Sequence, residues 1–358
     1  MEKEAVTEGT RRQAAGGRRQ EAGSRGKGKR TQRLSAISHQ PSASILICAG
    51  IPAGADEGAA LELYEKYPPG MVILFAHNIR SEAQVRSLCR DIHALPGRPL
   101  ITIDLEGGRV NRLKALWGDL PGASVYGSWP LKKIESMARE WGCALKALGV
   151  DVDFAPVADL GPAAQGTGLE SRTLGETPEE VISRARAFMR GMNRAGVLSC
   201  VKHYPGLGAS TLDSHRALPR MDLSLRQMLQ HLRPFSILKR EAPMIMVAHG
   251  VYPCLDPSEM PSSLSATIIG LLAKRPAYRG LILSDDLEMG ALGKFGSIAR
   301  RAELALEAGC HMVVVSHEWR ALPEVVQRLK RRRFESILIH YDEWRQSLVF
   351  RAMHDASR

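Results

Sequence analysis

The sequence predicts an α/β protein built as a single (β/α)8 TIM barrel with a disordered basic N-terminal tail. Three observations point there. Eight short apolar, β-branched runs recur from residue 44 onward, longer helix-like stretches separate most of them, and a polar or charged residue ends nearly every run. Near-continuous apolar strands alternating with helices indicate a parallel sheet covered on its faces. Eight such units in about 300 residues favour closure into a barrel over an open sheet. No GxGxxG follows the first strand and no P-loop occurs, which argues against a doubly wound nucleotide-binding fold.

The expected strands are SILICA (44–49), MVILF (71–75), LITID (100–104), VDFAPV (152–157), VLSCVKH (197–203), MIMVAH (244–249), GLILSD (280–285) and MVVVS (312–316). The expected helices cover 57–66, 82–94, 131–148, 178–195, 224–240, 264–274, 297–308 and 319–331. Thr177 with Glu180 three residues on is a capping-box signature for the fourth of these. The barrel is expected over 44–345, between an extension at 1–43 and a C-terminal tail at 346–358.

Composition is globular, 44% hydrophobic and 24% charged, but the net charge of +11 is uneven. Residues 1–40 carry ten Lys and Arg against four Glu and almost no large apolar side chains. Such a segment cannot bury enough surface to offset its ordering entropy. The charge therefore says little about the barrel, and no specific nucleic-acid partner is expected. No stretch approaches the roughly 18 apolar residues of a membrane span, and no secretory signal is visible. The six cysteines, at 48, 89, 143, 200, 254 and 310, are scattered without a CxxC. Several lie in apolar runs, as core thiols do, which suggests a reducing compartment and a cytoplasmic location.

Catalytic residues of such barrels sit at the C-terminal ends of the strands. The polar ends here are Asp104, Asp159, Lys202 with His203, His249, Asp285 and Ser316. In IDLEGGRVNRL (103–113), Asp104 precedes a two-glycine turn and then Arg109 and Arg112; an acid beside a base can clamp sugar hydroxyls. Arg172, upstream of the capping box, is either a loop charge or a second clamp. VKHYPGLGASTLDSH (201–215) joins Lys202 and His203 to a Pro/Gly-rich loop bearing Asp213 and His215. An Asp two residues from a His can orient the ring and tune it for proton transfer. His203, Asp213 and His215 could also ligate a metal, but the spacing matches no HExxH helix, and Lys202 would repel a cation. In LILSDDLEMG (281–290) strand alternation should send only one of Asp285 and Asp286 into a pocket, with the other available as a helix cap. A proton shuttle and a strand-end carboxylate are the two parts of a glycoside-cleaving site.

These segments together resemble family 3 glycoside hydrolases, and within them the bacterial β-N-acetylhexosaminidases of peptidoglycan recycling. The family's D-Q-E-G-G-R-V-Q-R, R-S-F, K-H-F-P-G-H-G…D-S-H and F-S-D-D-L-S-M appear here as DLEGGRVNR, SRTL, KHYPGLG…DSH and LSDDLEM. AHGVYP and PSSLS (248–253 and 261–265) are also similar. The resemblance covers about 44–340. It implies a retaining exo-β-N-acetylglucosaminidase that acts as a monomer, without metal or organic cofactor, on GlcNAc-containing saccharides such as muropeptides. It further implies Asp285 as nucleophile, His215 as general acid and base, and Asp213 as its orienting partner. Asp104, Arg112, Arg172, Lys202 and His203 would bind the sugar ring, with His249 nearby. Alternatives are a GlcNAc phosphorylase of the same family, a metal-dependent barrel hydrolase and a non-catalytic sugar-binding protein. The sequence departs from the motifs at Leu207, in place of His, at Leu105, in place of Gln, and at Glu288, in place of a small residue.

Overall fold

The computed structural model describes residues 42–213, 217–332 and 334–355. The basic extension, apart from its last two residues, and His215 lie outside them. Among the described residues are ten strands: β1 (Ile47–Gly50), β2 (Met71–Leu74), β3 (Leu100–Ile103), β4 (Leu105–Gly107), β5 (Val110–Asn111), β6 (Val152–Asp153), β7 (Leu198–Tyr204), β8 (Met244–Val247), β9 (Leu281–Asp286) and β10 (Met312–Val315). Eight of them close a parallel barrel in the order β1-β10-β9-β8-β7-β6-β3-β2. Four of its strands, β1, β2, β8 and β10, are buried at every position. The expected (β/α)8 barrel is the fold observed.

Local caps fix the ends of several helices, the predicted one at Thr177 among them. Ser81 Oγ accepts the Gln84 N–H at 3.2 Å to start the helix Glu82–Ala94. Thr177 and Glu180 exchange hydrogen bonds at the start of Pro178–Arg194, as a capping box does. The helix Leu131–Leu148 ends at Gly149, whose φ of 98° takes the left-handed conformation that a helix C-terminus needs.

The structure also differs from the expected elements, for local reasons. The fourth barrel strand is only Val152–Asp153 rather than 152–157, because Pro156 offers no N–H to the ladder; an isolated bridge from Val157 to Lys202 is what remains. The helix expected over 264–274 is a short α-helix, Ala266–Gly270, followed by a 3-10 turn, Leu271–Ala273. The antiparallel pair β4/β5 was not expected as strands; Gly107 and Gly108, at φ 78° and 56°, make its turn. Glu335–Asp355 forms a further helix that runs across residue 345, where a tail was expected to begin. Four of the six cysteines are buried and all six are free thiols. Among the described residues no helix is long and apolar enough to cross a membrane.

Gly50 closes the barrel where β1 meets the end of β10, and a Cβ there would run into the backbone carbonyl of Ser316. Gly50→Ala is therefore expected to destabilise the barrel by about 1–3 kcal/mol through overpacking, read as a lowered midpoint in thermal unfolding by circular dichroism. An unchanged midpoint would contradict that close approach.

Candidate active site

The C-terminal ends of the strands surround a cavity of about 440 Å³, within the range of small-molecule sites. One side of it is a lattice of charges. Asp104 follows β3, and Glu106 stands two residues on in β4, so an extended backbone points both carboxylates the same way. Lys202, in β7, reaches between them: its Nζ lies 2.8 Å from Asp104 Oδ1 and 2.7 Å from Glu106 Oε1. Arg172 donates to both Glu106 oxygens, Nε at 2.7 Å and Nη2 at 2.8 Å, the two-pronged geometry a guanidinium favours. Its Nη1 donates to the Gly168 carbonyl at 3.0 Å, tying the loop to the network. Arg112 Nη2 lies 3.3 Å from Asp104 Oδ2.

Burial by itself would hold these carboxyls neutral and the ammonium unprotonated; their proximity reverses both tendencies. The Asp104 carboxyl is lowered because Lys202 and Arg112 outweigh its desolvation. Glu106 falls well below the usual carboxylate range for the same reason, with Arg172 the larger partner and Lys202 the second. Lys202 is raised by Asp104 and Glu106 against its own burial. All three are charged near neutrality, and the lattice offers a sugar both donors and acceptors.

His203 is oriented from behind. Its ring Nδ1 lies 2.7 Å from Asp159 Oδ2, while Arg172 Nη2 lies 3.4 Å from its Nε2. Asp159 Oδ1 also accepts the Leu207 N–H at 2.6 Å, which fixes the turn after β7. The substitution at 207 thus leaves this bond intact, since it is made by backbone. Leu105, the second departure, is fully buried, and its N–H donates to Asp153 Oδ1 at 2.9 Å.

Across the cavity stands β9. Both Asp285 and Asp286 line the cavity, contrary to the expectation that only one would. The cause is an irregularity in register: Leu283 pairs with Met312, and the next pairing is Asp286 with Val314, so β9 spends one residue more than β10. A bulge of this kind breaks the alternation of side chains. Burial would raise the Asp285 carboxyl, but His203, His249, the Asp286 N–H and Lys202 outweigh it, and the net shift is downward. His249 Nε2 donates to the Asp286 carbonyl at 2.9 Å, and Nδ1 pairs with Ser263 Oγ at 2.7 Å. Asp286 moves the other way. Burial and the neighbouring Glu288 push its carboxyl up to about 7.

Of the expected site residues, the structure brings Asp104, Arg112, Arg172, Lys202, His203 and Asp285 to one cavity. Ser210 and Leu212, in the loop that carries Asp213, line it too. Asp213 sits against the Arg172 loop: a Cβ on Gly168 would come within 3.7 Å of its Oδ1. Glu106 and Asp286 join the site without having been assigned a part in it, and Asp159 was expected only as a strand end. Glu106 had a signal, its i, i+2 spacing from Asp104 on an extended segment. Among the described residues no group of three His, Cys, Asp or Glu side chains is placed to hold a metal ion.

The glycosyl hydrolase family 3 N-terminal domain matches residues 42–338 of this chain. The chain belongs to glycosyl hydrolase family 3. It is a glycoside hydrolase. A β-hexosaminidase from Alkalilimnicola ehrlichii is 39% identical over 273 residues, covering 73% of this chain and 77% of the relative. Among solved structures, a family 3 β-N-acetylglucosaminidase from Paenibacillus sp. FPU-7 superposes with a TM-score of 0.80 at 29% identity, over 87% of this chain and 62% of that one. NagZ from Neisseria gonorrhoeae, solved with N-trifluoroacetyl-D-glucosamine, matches with a TM-score of 0.72 at 30% identity, over 84% of this chain and 89% of that one. The resemblance drawn from the motifs and the barrel read from the strand pattern are thus both found.

The high Asp286 carboxyl makes stability depend on pH. Its ordinary unfolded value is roughly 3.9, whereas the folded value is about 7, so the folded state binds the extra proton between these limits. Folding stability contributed by this group is complete below about pH 4 and is lost as pH rises to about 7. Asp286→Asn removes the group, so the unfolding midpoint of that variant relative to wild type should climb between pH 5 and pH 8. A difference that stays constant over this range would place Asp286 at an ordinary carboxylate value.

Proposed function

We propose that this enzyme is a retaining exo-β-N-acetylglucosaminidase. It removes terminal β-1,4-linked GlcNAc from peptidoglycan fragments such as GlcNAc-anhydro-MurNAc, working as a monomer in the cytoplasm. The observation that carries this reading is the position of Asp285, kept ionised at the end of β9 and facing the Asp104–Lys202–Glu106–Arg172 lattice across one cavity. The names of the relatives supply the acetamido sugar.

In this reading the lattice holds the ring hydroxyls of the sugar, with Asp104 and Glu106 accepting and Lys202, Arg112 and Arg172 donating. An Asp285 oxygen attacks C1 and forms the glycosyl-enzyme bond as the C1–O bond to the leaving group breaks. His215 gives its proton to the departing oxygen. In the second step His215 takes a proton from water, the hydroxide attacks C1, and the Asp285 carboxylate is released. Asp213 orients the ring of His215. A histidine suits both roles because its ordinary pKa lies near working pH.

The reading is tested by mass spectrometry of the intact protein after incubation with a 5-fluoro GlcNAc trapping reagent. An adduct is expected on Asp285, and Asp285→Asn should neither form it nor turn over an aryl β-GlcNAc at more than a trace of the wild-type rate. Turnover by that variant close to wild type would remove Asp285 as nucleophile. The acid role of His215 is read separately from leaving-group dependence. His215→Ala should lose about 10²- to 10⁴-fold on a poor leaving group, the usual worth of general acid catalysis, and far less on nitrophenol. Equal losses on the two substrates would assign the proton to another group.

A further inference from the structure

The charged lattice occupies one arc of the cavity. The arc formed by β10, β1 and β2 contributes something different: Phe75, Ser316 and His317 line the same space. Phe75 follows β2, and its N–H donates to Asn78 Oδ1 at 2.9 Å. The Arg112 guanidinium covers its ring at 5.3 Å. His317 follows β10, with its ring centroid 4.9 Å from that of Phe75 and the planes inclined by 35°. His77 continues the row beyond Phe75 at 5.7 Å, stacked at 18°.

The depth of these groups differs from that of the lattice. Lys202 is 3% exposed and Glu106 2%, whereas Phe75 is half-buried and His317 exposed. A pocket closed at its floor by the barrel admits the terminal sugar first, so whatever is bonded to that sugar remains at the mouth. There an aromatic surface meets the C–H face of the next pyranose ring, an apolar surface of matching size.

The His317 backbone does not hold this position through the barrel ladder, since β10 ends at Val315. Glu288 holds it. One carboxylate oxygen, Oε1, accepts the N–H groups of both His317, at 2.8 Å, and Glu318, at 2.9 Å. Glu288 is itself seated by its own N–H, which donates to Asp286 Oδ1 at 3.1 Å. The residue at which the sequence departs from the S-D-D-L-S-M motif therefore ties the loop after β9 to the loop after β10. Serine at this position would be too short to span both amides.

We infer that His317, backed by the Phe75 ring, forms the platform on which the leaving-group pyranose stacks, and that Glu288 is the positioning residue that keeps His317 in it. This rests on the exo-glycosidase reading given above. It assigns the β10–β2 arc to the far side of the scissile bond and makes Glu288 a determinant of which saccharides are cleaved well.

The test compares two substrates that share the same terminal sugar. Diacetylchitobiose has a pyranose leaving group; GlcNAc β-fluoride leaves a single atom with no ring to stack. In His317→Ala and Glu288→Ser, the ratio of kcat/KM for diacetylchitobiose to that for the fluoride should fall about tenfold, the worth of one ring-stacking contact, with most of the loss in KM. Glu288→Gln should restore the ratio, because an amide oxygen can accept the same two N–H groups. Equal losses on both substrates in His317→Ala would overturn the platform. A Glu288→Gln variant as impaired as Glu288→Ser would overturn the positioning role. His317 is exposed, so its variant tests the platform even where Glu288→Ser does not fold. Wild-type protein that cleaves neither substrate would instead bring down the exo-glycosidase reading, and the platform with it.

Discussion

A single buried ammonium organises this site. Lys202 is almost wholly out of water, and a charge so placed is tolerable only with close, well-aligned counter-charges. It has two, Asp104 and Glu106, and meeting that requirement sets much else. The two carboxylates must converge, which holds the chain extended through β3 and into the β4/β5 pair. Two carboxylates around one ammonium leave a negative excess, and Arg172 offsets it with a two-pronged contact to Glu106. Arg172 in turn carries the Gly168 loop, against which Asp213 packs. His203, the next residue in the chain after Lys202, is then brought beside Asp159, and Asp159 secures the turn that leads into the loop of Asp213. Removing one member would leave its buried partners with fewer counter-charges than their desolvation requires, so the members of the lattice depend on one another.

Much of this was legible from local pattern. The barrel strands announce themselves as apolar β-branched runs, and helix starts such as Thr177 carry their own caps. Asp104, Lys202, His203 and Asp285 could be named because each ends an apolar run, where a barrel exposes side chains to its cavity. What was hidden depends on pairing between distant segments. The bulge in β9 exists only relative to β10, so no pattern within LILSDDLEMG reveals that both acids enter the cavity. Glu106 is defined by partners far along the chain, Arg172 lying 66 residues away. The helix Glu335–Asp355 does carry its period in the sequence: Ile337, Tyr341, Trp344 and Leu348 fall at helical spacing and pack against the core, although a tail was expected to begin within it.

The bulge also separates two neighbouring carboxyls by chemistry. Asp285 faces histidines and Lys202 and is held ionised; Asp286 faces Glu288 and is pushed toward neutrality. Adjacent acids with opposed surroundings can serve different ends in one cavity. Here the second acid anchors Glu288 and, through it, the loop after β10. One inserted residue in a strand thus links Asp285 to the cavity's outer wall.

The turn after β7 bears on how such enzymes are found. Asp159 grips residue 207 by its amide hydrogen, a group that every amino acid but proline supplies. That bond is accordingly indifferent to the side chain at this place, although Leu207 itself is buried and lines the cavity. A search pattern that insists on histidine at this place would pass over this chain, although the bond that shapes the turn is blind to that choice. Signatures for the family are better written on the residues whose side chains are buried in pairs, where substitution carries a physical cost, than on those the backbone alone keeps in place.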